Sequence, residues 1–512
     1  MQDELKYRIK NEIQEFRETV NKFFNKELSV KDFKGMSGGF GCYAQRGGNA
    51  MMLRLRMTAG VLSKDKMHFT ARRMAEYGIK RAHFTTCSTI QLHDLSADEA
   101  LIIMDQALDH DIVCRGGGGD YPRNVIASPL SGVEKGEAFD IMPYAMAAGE
   151  YMITLVSDIK LPRKLKVAFA NSSKDSVHAS FRDLGFMANS DHTFDVYCCG
   201  GLGNNPKLGV KVAEHIDPLD VLIYINAMIE LFKEHGNYEN RAKARTRYMQ
   251  ESLGLEKLQS EFDRYVDLAR QKPELKLSVK ESTINKSPCG VLSDPRAIEQ
   301  KQPGLYAVYY HPIGGNIDID RFIKLDQLIA DMPSVECRIT ANEGMYIINL
   351  TADEAKKVLA LTDDSAQNEF ETSIACIGAS ICQVGLRDSQ EMLHELIMAM
   401  RELNFKDHVL PKIHISGCPS SCGTHQIGSI GFQGSVKVID KQPHQAFVMV
   451  VNGRENLEER RLGQSIGTIL KRDMIPFFTE LGTTIQNAGS TFADWTAAHP
   501  DEFIMLCEKY TA

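Results

Sequence analysis

This 512-residue chain has one tryptophan, 17 prolines and no apolar run near the ~18–20 residues that a membrane-spanning helix needs. The ordinary proline count beside 39 glycines excludes collagen-like and low-complexity classes. The opening stretch MQDELKYRIKNEIQEF mixes acids with bases and lacks the apolar centre of a secretory signal. Positive charge is not in excess. The net charge is −8, which argues against general electrostatic binding of nucleic acid. Twelve cysteines are too sparse for a disulfide scaffold. No GxGxxG opens a strand–helix unit, so no nicotinamide- or flavin-binding domain is expected. These absences point to a soluble, cytoplasmic protein with reduced thiols and about three domains, at ~100–200 residues each.

What the chain does have is internal repetition. Residues 1–25 read as an amphipathic helix through Leu5, Ile9, Ile13, Phe16 and Val20. A strand follows over residues 51–57, then a helix over 63–77, a strand over 82–92, and a helix opened by the capping box Ser96-Ala97-Asp98-Glu99. The same order returns 255 residues later: Gly60, Leu95, Ala97, Asp98, Glu99 and Ala100 map onto Gly315, Leu350, Ala352, Asp353, Glu354 and Ala355 without a gap. A second echo joins Leu161-Pro162-Arg163-Lys164 with Leu410-Pro411-Lys412, and Gly185-Phe186 with Gly431-Phe432. Residues 239–285 read as a charged helical bridge between the halves, running into the polar connection KESTINKSPCG. Helix is also expected over 388–403 and through most of the C-terminal segment.

Two cysteine pairs stand apart from the rest. Cys376 and Cys382 are spaced C-x5-C, and Cys418 and Cys422 are spaced C-x3-C within Gly417-Cys418-Pro419-Ser420-Ser421-Cys422-Gly423. A Gly/Pro-framed turn after a strand presents backbone N–H groups to anionic sulfur, which lowers the cost of gathering thiolates. Four thiolates can hold zinc or an iron–sulfur cluster, and C-x5-C is loose for the usual zinc knuckle. Four unrelated core thiols are the plain alternative, and the remaining eight cysteines read as small hydrophobes.

C-x5-C followed by GCPxxCG resembles the signature of the sirohaem and [4Fe-4S] sulfite and nitrite reductases. The resemblance spans residues 38–467, and a duplication with cysteines in the second half alone is that family's pattern. It implies an α+β, pseudo-twofold duplicated haemoprotein fold of three mixed α/β domains. The boundaries expected are 1–34 for an N-terminal helical segment and 35–110 for a first ferredoxin-like half-domain. A sirohaem- and substrate-binding domain with the helical bridge is expected over 111–285, a second half-domain over 300–364, and the cluster- and sirohaem-binding domain over 365–512. Cys376, Cys382, Cys418 and Cys422 would bind the cluster, with Cys422 bridging to the sirohaem iron. Electrons would come singly from a ferredoxin or another small carrier and reduce sulfite to sulfide or nitrite to ammonia. A non-catalytic zinc or cluster protein is the reading from a different class.

A sirohaem carries eight carboxylates and the substrate is an oxyanion, so buried cations must compensate them. Arg54, Arg123, Lys164 and Lys166 look like the family's substrate-binding and proton-supplying group, and Lys164 and Lys166 share a face if the segment is a strand. Without the cysteine motif, the same pattern is the wet face of a strand. Arg56, Gln91, His93 and Gly201 are the further cofactor-binding candidates. Sulfite-type members commonly read Lys-x-Lys where nitrite-type members read Lys-x-Asn, and this chain has Lys164-Leu165-Lys166. The family's R-x-T-x-R-Q-x-x-Q-x-H strand departs here, since His83 and Cys87 replace both arginines while Thr85, Gln91 and His93 match. That departure leaves open whether Arg81, Arg56 or Arg46 compensate, or whether the pocket is altered. The basic run Arg241, Lys243, Arg245 and Arg247 reads either as a solvated helix face or as a partner for carboxylates.

Overall fold

The computed structural model describes residues 3–280 and 283–511. Glu281 and Ser282 of the polar connection, and the first two residues of the expected N-terminal helix, lie outside them. Among the described residues the strands form four five-stranded sheets. The chain divides into two compact units. One comprises residues 1–201, 207–310 and 317–363, and the other residues 202–206, 311–316 and 364–512.

The 255-residue repeat is a repeat of structure. The strand Met51–Arg56, helix Lys64–Glu76, hairpin strands Ala82–Phe84 and Thr89–Leu95, and helix Ala97–Ala107 return in the same order. Their second copies are Tyr306–Tyr310, Ile319–Ile329, Glu336–Ile339, Met345–Leu350 and Ala352–Leu361. Both copies of the last helix begin with a complete capping box. Ser96 accepts from the Glu99 amide while Glu99 reaches back to the Ser96 amide, and Thr351 and Glu354 do the same. Each first helix is preceded by a single turn with left-handed residues, Ala59 (φ 54°) and Gly60 (φ 78°) in one copy and Gly314 (φ 58°) and Gly315 (φ 73°) in the other. A Cβ on Gly60 would lie 2.5 Å from the Ile339 carbonyl oxygen, so the close approach of the two copies demands glycine. Val61 and Leu62, next in the chain, pair with Arg338 and Cys337 and extend the sheet of the other copy. One continuous core, including Leu53, Leu55, Leu92, Val308, Ile347 and Leu350, joins the two copies.

The second echo is structural as well. In the first unit the parallel strands Ile126–Ala127, Val167–Ala170 and Leu184–Asn189 continue into an antiparallel ribbon, Thr193–Cys198 and Val210–Ile216. In the second unit Ile374–Ala375, Ile413–Ser416, Ile430–Ile439, Gln442–Val451 and Gln464–Leu470 follow the same order. The registers match residue for residue: Ala168 and Phe169 take the places of His414 and Ile415, and Leu184 that of Ile430.

Three expectations need correction. Residues 82–92 are not one strand. A turn at Thr85–Ser88 splits them, because Thr85 Oγ1 bonds the Thr89 hydroxyl at 2.7 Å and Ser88 takes φ 50°. Cys87 therefore sits at a hairpin tip. The regular strand after Lys166 begins at Val167, and Lys164 and Lys166 flank the buried Leu165, which bridges to Pro122. The basic run is not a helix face. It forms two short turns, Arg241–Lys243 and Thr246–Tyr248, and the helix beyond, Leu255–Arg270, buries Leu258, Phe262 and Val266 against the helix Val221–His235.

Removing either capping box by Ser96→Ala or Thr351→Ala is expected to cost about 1 kcal/mol. The denaturant midpoint of the first unit should fall in each variant, and an unchanged midpoint would contradict the assigned caps.

Candidate functional site

The first unit holds a nest of cations. Arg54, on the strand Met51–Arg56, donates to the Gly117 carbonyl at 2.5 Å, and Arg123 donates to the same carbonyl at 2.9 Å and to that of Gly119 at 2.8 Å. Arg123 also gives its amide to the Leu165 carbonyl at 2.8 Å, which sets Lys166 one residue away. Arg56 lies deeper, 2% exposed, and donates to the Arg115 and Arg123 carbonyls at 2.8 and 3.1 Å. It holds the loop that carries Arg123. Gln91 stands across the sheet from Arg54 on one side and His83 on the other. His93 is buried, with Nδ1 3.3 Å from Gln45 Oε1, and burial aided by nearby positive charge lowers its pKa to about 3. It is a neutral ring.

Sequence reasoning missed the residue that organises the other side of the nest. Asp183 is fully buried and accepts the Lys166 amide at 2.9 Å, Arg245 Nη2 at 3.0 and 2.9 Å, and the Thr246 hydroxyl. Its neighbour Arg182 is 7% exposed. Gly201 lies against this group: a Cβ there would sit 3.2 Å from Arg247 and 3.5 Å from Arg245. A lone Asp beside a Gly-Phe strand carries no sequence signal, and its role emerges only when three chain segments meet.

Burial lowers the pKa of Lys166 and Arg182, and lowers that of Arg123 to about 10. Cys87, at the hairpin tip, responds in the opposite sense. Its burial opposes ionisation, yet Lys166, Arg182, Arg54 and Arg123 together bring the thiol down to about 6. Arg54 Nε, Arg123 Nε, Arg182 Nη2 and Arg245 Nε are buried without a hydrogen-bond partner among the described residues. Such groups are costly to leave unpaired, so the nest fits a ligand rich in carboxylates together with a small oxyanion.

The second unit carries the cysteines. Cys376 directly follows the strand Ile374–Ala375 and Cys418 follows Ile413–Ser416 by one residue, and the two strands are parallel neighbours. The loops are laced together: the Leu386 and Arg387 amides both donate to the Gly417 carbonyl, at 2.9 and 3.0 Å. The Gly417 amide donates to Cys376 Sγ at 3.2 Å, and the Ser389 hydroxyl lies 3.1 Å from it. Ser421 and Thr424 turn the second loop through left-handed conformations, φ 53° and 54°. Burial first, and then Cys422, push the Cys376 thiol up to about 12, against the Gly417 and Ser389 contacts. A bound cation is what deprotonates such a thiol. All twelve cysteines are free thiols, and Cys422 is exposed. Among the described residues no three Cys, His, Asp or Glu side chains are grouped to hold a single metal ion. Four thiols on two laced loops with an amide aimed at sulfur suit the donor set of an iron–sulfur cluster.

The duplicated fold identifies what the first unit has in their place. Ser128 occupies the register of Cys376 and Ser176 that of Cys422, and their hydroxyls are 3.2 Å apart. The Asn171 amide donates to Ser128 Oγ at 3.1 Å, as the Gly417 amide does to Cys376. The copy without cysteines keeps the turn and its hydrogen bond.

Comparison with known proteins gives concordant matches. The family described as the nitrite and sulphite reductase 4Fe-4S domain matches residues 118–269, and the nitrite/sulfite reductase ferredoxin-like half domain matches residues 43–109 and 298–364. The ferredoxin–nitrite reductase of Synechococcus elongatus is 25% identical over 426 residues, 79% of this chain and 80% of that protein. Sulfite reductase [ferredoxin] 1 of Mycolicibacterium paratuberculosis is 23% identical over 476 residues, 88% of this chain and 82% of that protein. The structure of the Mycobacterium tuberculosis NirA protein superposes with a TM-score of 0.77 at 21% identity, covering 94% of each chain.

Asp183→Asn should leave Arg245 without its buried counter-ion and cost about 3 kcal/mol, the scale of breaking a buried pair. Urea unfolding checks this, and a variant as stable as the parent would contradict the tether.

Proposed function

This chain belongs to the nitrite and sulphite reductase family, and we propose that it reduces sulfite to sulfide with six electrons from a ferredoxin-type donor. It is an oxidoreductase whose cofactors are sirohaem and a [4Fe-4S] cluster, held by the nest and by the cysteine loops respectively. When bound, the pair supplies single-electron transfer and an iron atom for the substrate. Cys376, Cys382, Cys418 and Cys422 are the proposed cluster ligands. Among the described residues no helix is long and apolar enough to cross a membrane.

The chain's own residues supply the rest of the chemistry. Arg54, Arg123, Lys164 and Lys166 bind the oxyanion, and their charge stabilises oxygen atoms as they leave. Lys166 is the better proton source, because burial lowers the pKa of its ammonium, while Arg123 keeps its charge. Asp183 fixes Lys166 through its backbone, so the ammonium is oriented without being neutralised. Arg56 fixes the Arg123 loop in the same manner.

Lys166 is the observation that carries sulfite over nitrite. A further ammonium in a nest already rich in arginine suits the greater charge of sulfite. Nitrite reduction to ammonia is the second reading, favoured by the name of the Synechococcus relative. Purified enzyme supplied with a chemical reductant should release sulfide from sulfite faster than ammonium from nitrite. Lys166→Asn should lower kcat/KM for sulfite about tenfold more than for nitrite, a modest share of one lost transition-state contact. Equal losses on both substrates would remove the argument for sulfite.

A further inference from the structure

The N-terminal helix Asp3–Phe24 carries a charge on its buried stripe that the chemistry above does not use. Glu12 lies between Ile9 and Phe16 at helical spacing, on the face that packs into the first core. A carboxylate in that place needs a partner, and Arg115 provides it. Arg115 Nε donates to Glu12 Oε2 at 2.6 Å, with the two side chains 10% and 19% exposed. Its Nη1 donates to the Gly39 carbonyl at 2.9 Å, the same oxygen that accepts the Gly116 amide at 2.8 Å. The guanidinium lies 4.5 Å from the centre of the Phe40 ring and 5.0 Å from that of Tyr121. Phe40 in turn stacks on Phe16 of the helix at 4.1 Å. One helix thus grips Arg115 by charge and by packing.

Arg115 opens the turn on which two cations of the nest depend. Its own carbonyl accepts from Arg56 Nη1 at 2.8 Å, and Arg56 Nη2 donates to the Arg123 carbonyl at 3.1 Å. The Gly117 carbonyl accepts from Arg54 and Arg123, and the Gly119 carbonyl from Arg123 again. Four consecutive glycines have no side chains to hold their conformation, so what grips the ends of the turn sets its place. Tyr43 holds one end, where its hydroxyl accepts the Gly119 amide at 2.9 Å. Arg115 holds the other. We propose that Glu12 is a positioning residue for Arg123 and Arg54, acting through Arg115 and the glycine turn. This rests on the reading of Arg54 and Arg123 as oxyanion-binding residues.

The test uses purified full-length holoenzyme, with rates referred to bound sirohaem. Glu12→Ala should lower kcat/KM for sulfite and for nitrite about tenfold, within the ~100-fold that a misplacement of about 1 Å costs. Glu12→Gln keeps an acceptor for Arg115 Nε and should recover most of that loss. Arg17→Ala, which breaks the same helix's exposed pair with Asp98, should leave the rate unchanged. In an Arg123→Gln background, Glu12→Ala should cost at most about threefold more, because residues that act through one another are not additive. A merely structural residue would cost the same in both backgrounds. Hydrogen exchange without substrate reads the coupling independently of turnover. The peptide carrying Gly116 and Gly117 should exchange on the order of tenfold faster in Glu12→Ala, and at the parent rate in Arg17→Ala. A parent enzyme that reduced neither oxyanion would overturn the reading of the nest, while faster exchange in Glu12→Ala would still support the positioning. Unchanged exchange, additive losses in the Arg123→Gln background, or a Glu12→Gln variant as impaired as Glu12→Ala would each overturn the proposal.

Discussion

Like charges buried together are the constraint on which the first unit depends. Arg54, Arg56, Arg123, Lys166, Arg182 and Arg245 converge with Asp183 as the carboxylate that hydrogen-bonds directly among them. An arrangement of that kind repels itself and pays for desolvation as well. Backbone carbonyls meet part of the cost: those of Gly117, Gly119, Arg115 and Arg123 accept from the guanidinium groups of Arg54, Arg56 and Arg123. The remaining buried N–H groups suit an anionic ligand. The glycines of the Gly116–Gly119 run belong to the same solution. A Cβ at Gly116 would lie 2.6 Å from Arg56, and one at Gly117 would lie 2.8 Å from the Cys114 carbonyl oxygen.

Duplication places this arrangement and the cysteine loops on two copies of one structural unit. Each copy of the parallel-strand unit ends its first two strands in laced turns. In one, Ser128 and Ser176 hydrogen-bond to each other; in the other, Cys376 and Cys422 stand in their registers. The amide that donates to Ser128 donates to sulfur in the second copy. The turn geometry is therefore common to both copies, and cysteine where the other copy has serine gives the second turn soft donor atoms.

Much of this was legible in the sequence. The gapless match of LSADEA with LTADEA reflects two real capping boxes, because an N-cap and its Glu three residues on form a local unit that needs no tertiary context. The cysteine loops were legible for the same reason, since their spacing and their Gly and Pro residues are local. The hairpin at Thr85–Ser88 was not, because a run such as His83-Phe84-Thr85-Thr86-Cys87-Ser88-Thr89 has strong strand propensity and no Gly or Pro at its turn. Threonine hydroxyl pairing makes that turn instead. The role of Asp183 was hidden because its partners Lys166, Arg245 and Thr246 are distant in the chain. The basic run was misread as a possible helix face because its charges alternate with small residues, while Arg245 and Arg247 in fact turn inward.

The central claim is that a carboxylate-rich tetrapyrrole and a four-iron cluster share this chain. An absorption spectrum of the purified protein, with iron and acid-labile sulfide assayed on the same sample, tests it most directly. The account requires a Soret band, a red chlorin-type band and about five irons per chain, four in the cluster and one in the macrocycle. Iron and sulfide without tetrapyrrole bands, after expression with sirohaem available, would contradict it and leave the cationic nest without its ligand.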